Sequence, residues 1–245
     1  MILDRLRREV AKLSLDTLDL MLQVTDILRN IGRNIINDSI YVSDLTRCIL
    51  KVAFTRRLIR KCKNIDELIK TLFKDKGIDS IMMGFLVQYG LERFMESIGL
   101  RKSSITWRKV ITIDDVKIVL SGKPDYEAVI DGKIVPVEVK FTRKSIDRPY
   151  PSYVTQCSTY AWLCNAPYCK LLIFTPDGAH EHDIEPITEE TLRLIVKKWL
   201  TTAPLWKWEC RYCPYREECD EELRRRVREG DARKNIRIIQ EIENM

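Results

Sequence analysis

An α/β fold with a mixed β-sheet is the class this sequence predicts, and three observations carry it. A strongly marked β-hairpin lies mid-chain within GKPDYEAVIDGKIVPVEVK, residues 122–140. An apolar helical stretch and two strands precede it. A helix, a short buried strand and an amphipathic helix follow, an order that builds a mixed sheet with helices packed on it. At 245 residues the chain is long enough for one full core with a helical part appended.

Taken in order, residues 2–37 place Leu6, Val10, Leu13, Leu20, Met21, Val24, Ile27, Leu28 and Ile31 at helical spacing, interrupted only at Thr17. One or two amphipathic helices are expected there, packed on the body or joining two copies of the chain. In YVSDLTRC (41–48), Ser43 or Asp44 is a plausible cap for a helix that carries Cys48 in its first turns. Arg47, Lys51, Arg56, Arg57, Arg60, Lys61 and Lys63 then form a basic run without an acid. Such a run is either a solvated helix face or a track for a phosphate backbone.

Residues 80–97 read as a strongly apolar helix near the centre of the fold, and 104–113 and 116–121 as strands around Asp114-Asp115. Residues 150–164 have helical character after Pro149 and Pro151, and KLLIFT (170–175) is a short buried strand. Residues 188–200 form an amphipathic helix capped by Thr188, with Glu189 and Glu190 in the first turn, where the helix dipole favours negative charge.

The hairpin holds the chemistry. Asp131-Gly132 suits a two-residue type I′ turn, which makes Ile130 face Lys133 and sets Asp125 directly opposite Glu138. Period two puts Tyr126, Ala128, Ile130, Val135, Val137 and Val139 on one face, the core face. Lys123, Asp125, Glu127, Glu138 and Lys140 go to the other. Opposed carboxylates with Cβ atoms ~5 Å apart destabilise a sheet unless something compensates. A divalent cation with hard oxygen ligands compensates, and Mg²⁺ is held in this way.

The formal charge of +6 permits a polyanionic partner without demanding one. No Walker-type phosphate loop is present, which argues against nucleotide hydrolysis. MILDRLRREVAKL lacks the apolar region of a secretory signal, and no run approaches ~20 apolar residues, so a cytoplasmic protein without a membrane anchor is expected. The eight cysteines then suggest metal binding or reactivity before disulfides, hyperthermophile proteins being the known exception. His180 and His182 alternate in AHEHD and either share a metal-binding strand face or lie in an exposed hairpin or loop.

Cys210, Cys213 and Cys219 are spaced C-x2-C-x5-C, close enough to wrap one soft metal centre. A fourth ligand is needed, with Cys48 the candidate and Cys62 its rival. Zinc and iron–sulfur clusters both use four thiolates, and spacing does not separate them. Cys62, Cys157, Cys164 and Cys169 otherwise read as small buried residues.

Pro124-Asp125 followed by Glu138-Val139-Lys140 resembles the PD-(D/E)XK signature of the restriction-endonuclease-like nucleases. An early lone cysteine, that hairpin, then C-x2-C-x5-C is similar to the iron–sulfur staple of RecB-family nucleases, among them the fourth CRISPR-associated (Cas) family of RecB-like exonucleases. Gln156 and Tyr160, at i and i+4 on one helix face, resemble that family's Q-x3-Y motif. The resemblance implies a restriction-endonuclease-like α/β core over 39–222, closed by a 4Fe-4S cluster (alternatively 2Fe-2S or zinc) on Cys48, Cys210, Cys213 and Cys219. Residues 1–38 would be a helical extension and 223–245 a charged helix or tail.

It further implies Mg²⁺ or Mn²⁺ on Asp125, Glu138 and the carbonyl of Val139, with Lys140 orienting water or offsetting charge, and Gln156 and Tyr160 beside the site. The implied activity is a metal-dependent DNA exonuclease on single-stranded ends, 5′ to 3′, trimming new spacers alongside the CRISPR integrase. A stand-alone recombination, repair or viral nuclease and a weakened DNA-binding subunit are the alternatives, and homo-oligomerisation is open. One position departs from the pattern. The usual G-x3-H histidine is replaced by Gln88 in GFLVQ (84–88), a neutral amide ligand that implies slow, metal-restricted or absent cleavage, with Glu92 as a substitute.

Overall fold

A computed structural model describes residues 39–62, 95, 99–142 and 144–245. The helices expected at 2–37 and, apart from Met95, at 80–97 lie outside the described residues, as do Lys63, Gln88 and Glu92. In chain order the helices are α1 (Ile49–Lys61), α2 (Pro151–Cys164), α3 (Glu189–Thr201), α4 (Glu221–Glu229) and α5 (Ala232–Asn244). Short 3-10 helices span Val42–Thr46 and Glu209–Tyr212.

The strands form two mixed sheets. In the smaller, β4 (Val116–Gly122) lies between β1 (Ser39–Tyr41), parallel to it, and β3 (Trp107–Ile113), antiparallel. The larger has the order β2 (Arg101–Lys102), β5 (Tyr126–Ile130), β6 (Lys133–Phe141), β7 (Cys169–Thr175), β8 (Gly178–Ile184). Only β6 and β7 run parallel in it, and parallel neighbours need a long crossover, here made through α2.

The hairpin forms as its turn chemistry dictates. Asp131 and Gly132 both have positive φ, 51° and 73°, conformations that Asp tolerates and Gly adopts freely. Ile130 pairs with Lys133 and Tyr126 with Val137, the expected register. Tyr126, Ala128 and Val137 share an apolar cluster with Met95, as the core face requires. The other face is not simply polar and open, however. Glu127 and Glu138 are 6% and 2% exposed, because α2 folds back over it.

Boundaries shift where side chains compete for backbone groups. The helix expected from Ser43 or Asp44 is a 3-10 turn, and α1 starts only after Cys48, its N-cap. Asp44 Oδ2 instead accepts the Tyr41 N–H at 3.0 Å and pairs with Arg56 at 2.6 Å. Thr188 does cap α3, accepting the Thr191 N–H at 3.2 Å. At α2, Pro151 occupies the first turn, where a missing N–H costs nothing, and Asn165 closes the helix in the left-handed region with φ 54°. His180 and His182 lie half-buried on the strand β8 rather than in a loop, with His180 Nε2 3.3 Å from Thr175 Oγ1.

The main core joins α1, β3, β4, α2, β7, α3 and α5 through residues such as Ile49, Ile111, Leu120, Leu163, Leu171, Trp199 and Ile239. Residues 223–245 complete α4 and form α5, whose Ile238, Ile239 and Ile242 belong to this core. Asn235, fully buried, ties α5 down by donating to the carbonyls of Leu200 and Val227, both at 2.8 Å. Glu243 pairs with Arg56 at 3.2 Å and Arg60 at 2.7 Å, Arg57 pairs with Glu218, and Lys61 donates to the Met245 carbonyl at 2.8 Å. Much of the basic run is therefore absorbed by the chain's own oxygens, which favours a packing role over a phosphate track.

The reading of Cys157 and Cys169 merely as small buried residues is corrected. They form a disulfide, with Cα atoms 5.5 Å apart, that fastens α2 to β7. No helix among the described residues is long and apolar enough to cross a membrane.

Candidate active site

The β6–α2–β7 unit brings the site together. Asp125 precedes β5 and Glu138 lies in β6, at positions that the hairpin register sets opposite one another. The Val139 N–H donates to Asp125 Oδ2 at 2.9 Å, so the first carboxylate is anchored to the strand that carries the second. Lys140 Nζ donates to Glu138 Oε1 at 2.5 Å, and Gln156 Nε2 reaches the same oxygen at 2.6 Å. Gln156 Nε2 also donates to the Tyr160 hydroxyl at 3.3 Å, so the i, i+4 pair meets and Gln156 carries the contact to the carboxylate. Gln156 and Tyr160 are 8% and 4% exposed. Their burial suits them to hold Glu138 in place rather than to touch a nucleic acid.

Electrostatics follow from packing two acids under a helix. Burial, and next the neighbouring Asp125 charge, pushes the Glu138 carboxyl up to about 7. Burial raises Asp125 as well, against the lowering pull of Lys140. Burial would lower Lys140, but Glu138 and Asp125 outweigh it and hold the ammonium charged. Lys140 also faces the Tyr153 ring, 5.7 Å from its centroid.

One atom remains unaccounted for. Glu138 Oε2 is buried with no hydrogen-bond partner, a cost that a native fold seldom leaves standing. An oxygen aimed into the site beside a second carboxylate is the donor set a hard cation takes, so the residues present fit Mg²⁺ or Mn²⁺.

The cysteines form a second centre. Cys48, Cys210, Cys213 and Cys219 line one cavity, about 320 Å³ including its part open to solvent, together with Lys51, Glu209 and Arg224. Cys62, the rival ligand, closes α1 and is absent from its wall. Among the described residues no three His, Cys, Asp or Glu side chains converge as a ready-made ion site. The four thiols share the wall of that cavity. Glu209, which sequence reasoning missed, fastens this centre: its Oε1 accepts the Cys48 N–H and its Oε2 the Trp206 N–H, both at 2.9 Å. No local signal marks Glu209, since its partner Cys48 is 161 residues away. Tyr153 was also missed, yet it precedes Gln156 by one helical turn and was findable by the same periodicity. His180 and His182 stand on β8, two strands from Glu138, and are not brought to either centre.

No family model matches the chain. Among curated proteins, the CRISPR-associated exonuclease Cas4 of Saccharolobus solfataricus is 26% identical over 192 residues, covering 76% of this chain and 89% of that protein. The chain resembles the Cas4-type CRISPR-associated exonucleases. Among solved structures, SSO0001 superposes with a TM-score of 0.62 at 23% identity, over 80% of this chain and 96% of that one. Its likeness speaks for the fold alone, and the mixed α/β architecture expected from the sequence is the one observed. An alkaline exonuclease from Laribacter hongkongensis aligns over 65% of this chain and 82% of its own at 12% identity, with a TM-score of 0.37. That score is too low to argue from.

Proposed function

We propose that this chain is a metal-dependent deoxyribonuclease, an exonuclease that hydrolyses phosphodiesters at single-stranded DNA ends. The observation that carries the reading is the unpartnered, buried Glu138 Oε2 beside Asp125, with Lys140 against the same carboxylate. The name of the Saccharolobus relative supports the reaction class. Asp125, Glu138 and the Val139 carbonyl would hold a divalent cation, which would supply Lewis-acid polarisation of a phosphoryl oxygen and acidify water.

The chain's own residues do the rest. The Val139 N–H fixes Asp125, and Gln156, held by Tyr160, fixes Glu138, so neither acid must be reorganised when substrate arrives. Lys140, on the same face as Glu138, places a fixed positive charge where negative charge builds on the phosphoryl group. Lys140 pairs with Glu138 Oε1, so its ammonium already stands beside the carboxylate that would hold the cation.

The cysteine cavity belongs to the same reading as the seat of a 4Fe-4S cluster on Cys48, Cys210, Cys213 and Cys219. Zinc and iron–sulfur centres both take four thiolates, and the cluster is chosen by resemblance to the iron–sulfur staple. Its role is structural, holding residues 46–48 to 206–219. The 5′ to 3′ direction, a cytoplasmic setting and a place in CRISPR spacer processing with the integrase complete the proposal by resemblance.

End-labelled single-stranded DNA tests it. Degradation in Mg²⁺ or Mn²⁺, none in chelator, and release of label as mononucleotide or short product from one end are expected. Full-length DNA after prolonged incubation with both metals would overturn the nuclease reading.

A further inference from the structure

Beside the cysteine cavity stands an aromatic side chain that no part of the mechanism uses. Of the chain's five tryptophans, Trp208 alone is exposed among the described residues, at 61%. Its surroundings are rigid. Trp199 Nε1 donates to the Arg47 carbonyl at 2.8 Å, and Trp206 Nε1 to the Thr46 carbonyl at 3.2 Å. Glu209, 4% exposed, bonds the N–H groups of Trp206 and Cys48. Trp208 is therefore held out on a pinned pedestal, not carried on a loose loop. An indole left in water forfeits the stabilisation that burial would bring.

Cations stand in the open beside it, while the neighbouring acid, Glu209, is buried and turned to the Cys48 and Trp206 N–H groups. Lys207 precedes it and is exposed. The Arg211 N–H donates to the Trp208 carbonyl at 3.2 Å, closing a 3-10 turn. In that geometry side chains three apart eclipse, which brings exposed Arg211 to the side of Trp208. Lys51 joins them from the wall of the adjoining cavity.

Packed residues also link the pedestal to the side of the fold that holds Tyr160. A Cβ on Gly122 would lie 2.8 Å from both Tyr160 Cε1 and Val42 Cγ2, so Val42 packs where Tyr160 does. From Val42 the chain reaches Cys48, bonded to Glu209, within about 22 Å even if fully extended.

We propose that Trp208, flanked by Lys207 and Arg211, is a stacking platform for an unpaired base of single-stranded DNA. An aromatic face with cations beside it is the chemistry that binds single strands without reading sequence. This inference rests on the nuclease reading and names how its substrate is gripped away from the acids.

The test is the affinity of the full-length protein for fluorescein-labelled oligodeoxythymidylate in chelator, where no cleavage occurs. Trp208→Ala is expected to weaken binding roughly 5- to 100-fold, and Trp208→Phe much less, since a phenyl ring still stacks. Lys207→Ala should flatten the dependence of affinity on salt. Equal affinity in the wild type, Trp208→Ala and Trp208→Phe would overturn the platform while leaving the nuclease reading intact. A wild type that binds no oligonucleotide and degrades none would overturn both readings.

Discussion

Asp125→Ala abolishes metal-dependent DNA degradation, and Lys140→Ala slows it by roughly 10²–10³-fold, the cost of losing one preorganised charge at the reacting group. The two differ because they remove different things. Without Asp125 the cation keeps only Glu138 and a main-chain oxygen, too few protein donors to hold it in place. Without Lys140 the cation stays, but the charge that lay against Glu138 is gone. Both variants should fold, since Asp125 and Lys140 are half-buried and neither belongs to the apolar core. Circular dichroism and the melting midpoint check that, and end-labelled DNA gives the rates. Cleavage at the wild-type rate in Asp125→Ala would place the active site elsewhere.

Cys48→Ser removes the second centre. The wild type should be brown with broad visible absorption, and the variant colourless, while Cys62→Ser keeps its colour because Cys62 is not in the cavity wall. Loss of a thiolate-bound centre costs on the order of several kcal/mol. At roughly 2–4 °C per kcal/mol for a chain of this size, the melting midpoint should fall by about 10 °C. The protein contacts that remain, chiefly Glu209 to Cys48 and Trp199 to Arg47, keep the segments near each other but do not replace the centre. A colourless wild type with one zinc per chain would replace the cluster by a zinc staple.

The parts of the site visible in the sequence are those set by short-range periodicity. A two-residue Asp-Gly turn fixes every cross-strand pair beyond it, so the opposition of Asp125 and Glu138 follows from position alone. Helical spacing puts Gln156 and Tyr160 on one face in the same way. What was not visible depends on the chain returning to itself. The burial of the hairpin's polar face is one such feature, since the β6–α2–β7 crossover lays α2 over it. The basic run looked free because its acids are far away in sequence: Arg56 and Glu243 are 187 residues apart. Cys157 and Cys169, separated by 12 residues, pair only because a helix and a strand are packed side by side, and sequence alone does not give disulfide connectivity.

The central claim is that Asp125 and Glu138 hold a divalent cation, and titrating Mn²⁺ followed by electron paramagnetic resonance tests it most directly. Without metal the Glu138 carboxyl sits at about 7, raised by burial and by Asp125, so protons and Mn²⁺ compete for it. Below that pH the proton holds the carboxyl and binding is weak. Above it the carboxylate is free and affinity rises, then levels off. The account predicts Mn²⁺ binding that strengthens as pH rises through about 7 and is absent from Asp125→Ala. Mn²⁺ bound with the same stoichiometry and affinity by the wild type and Asp125→Ala, at every pH, would contradict it.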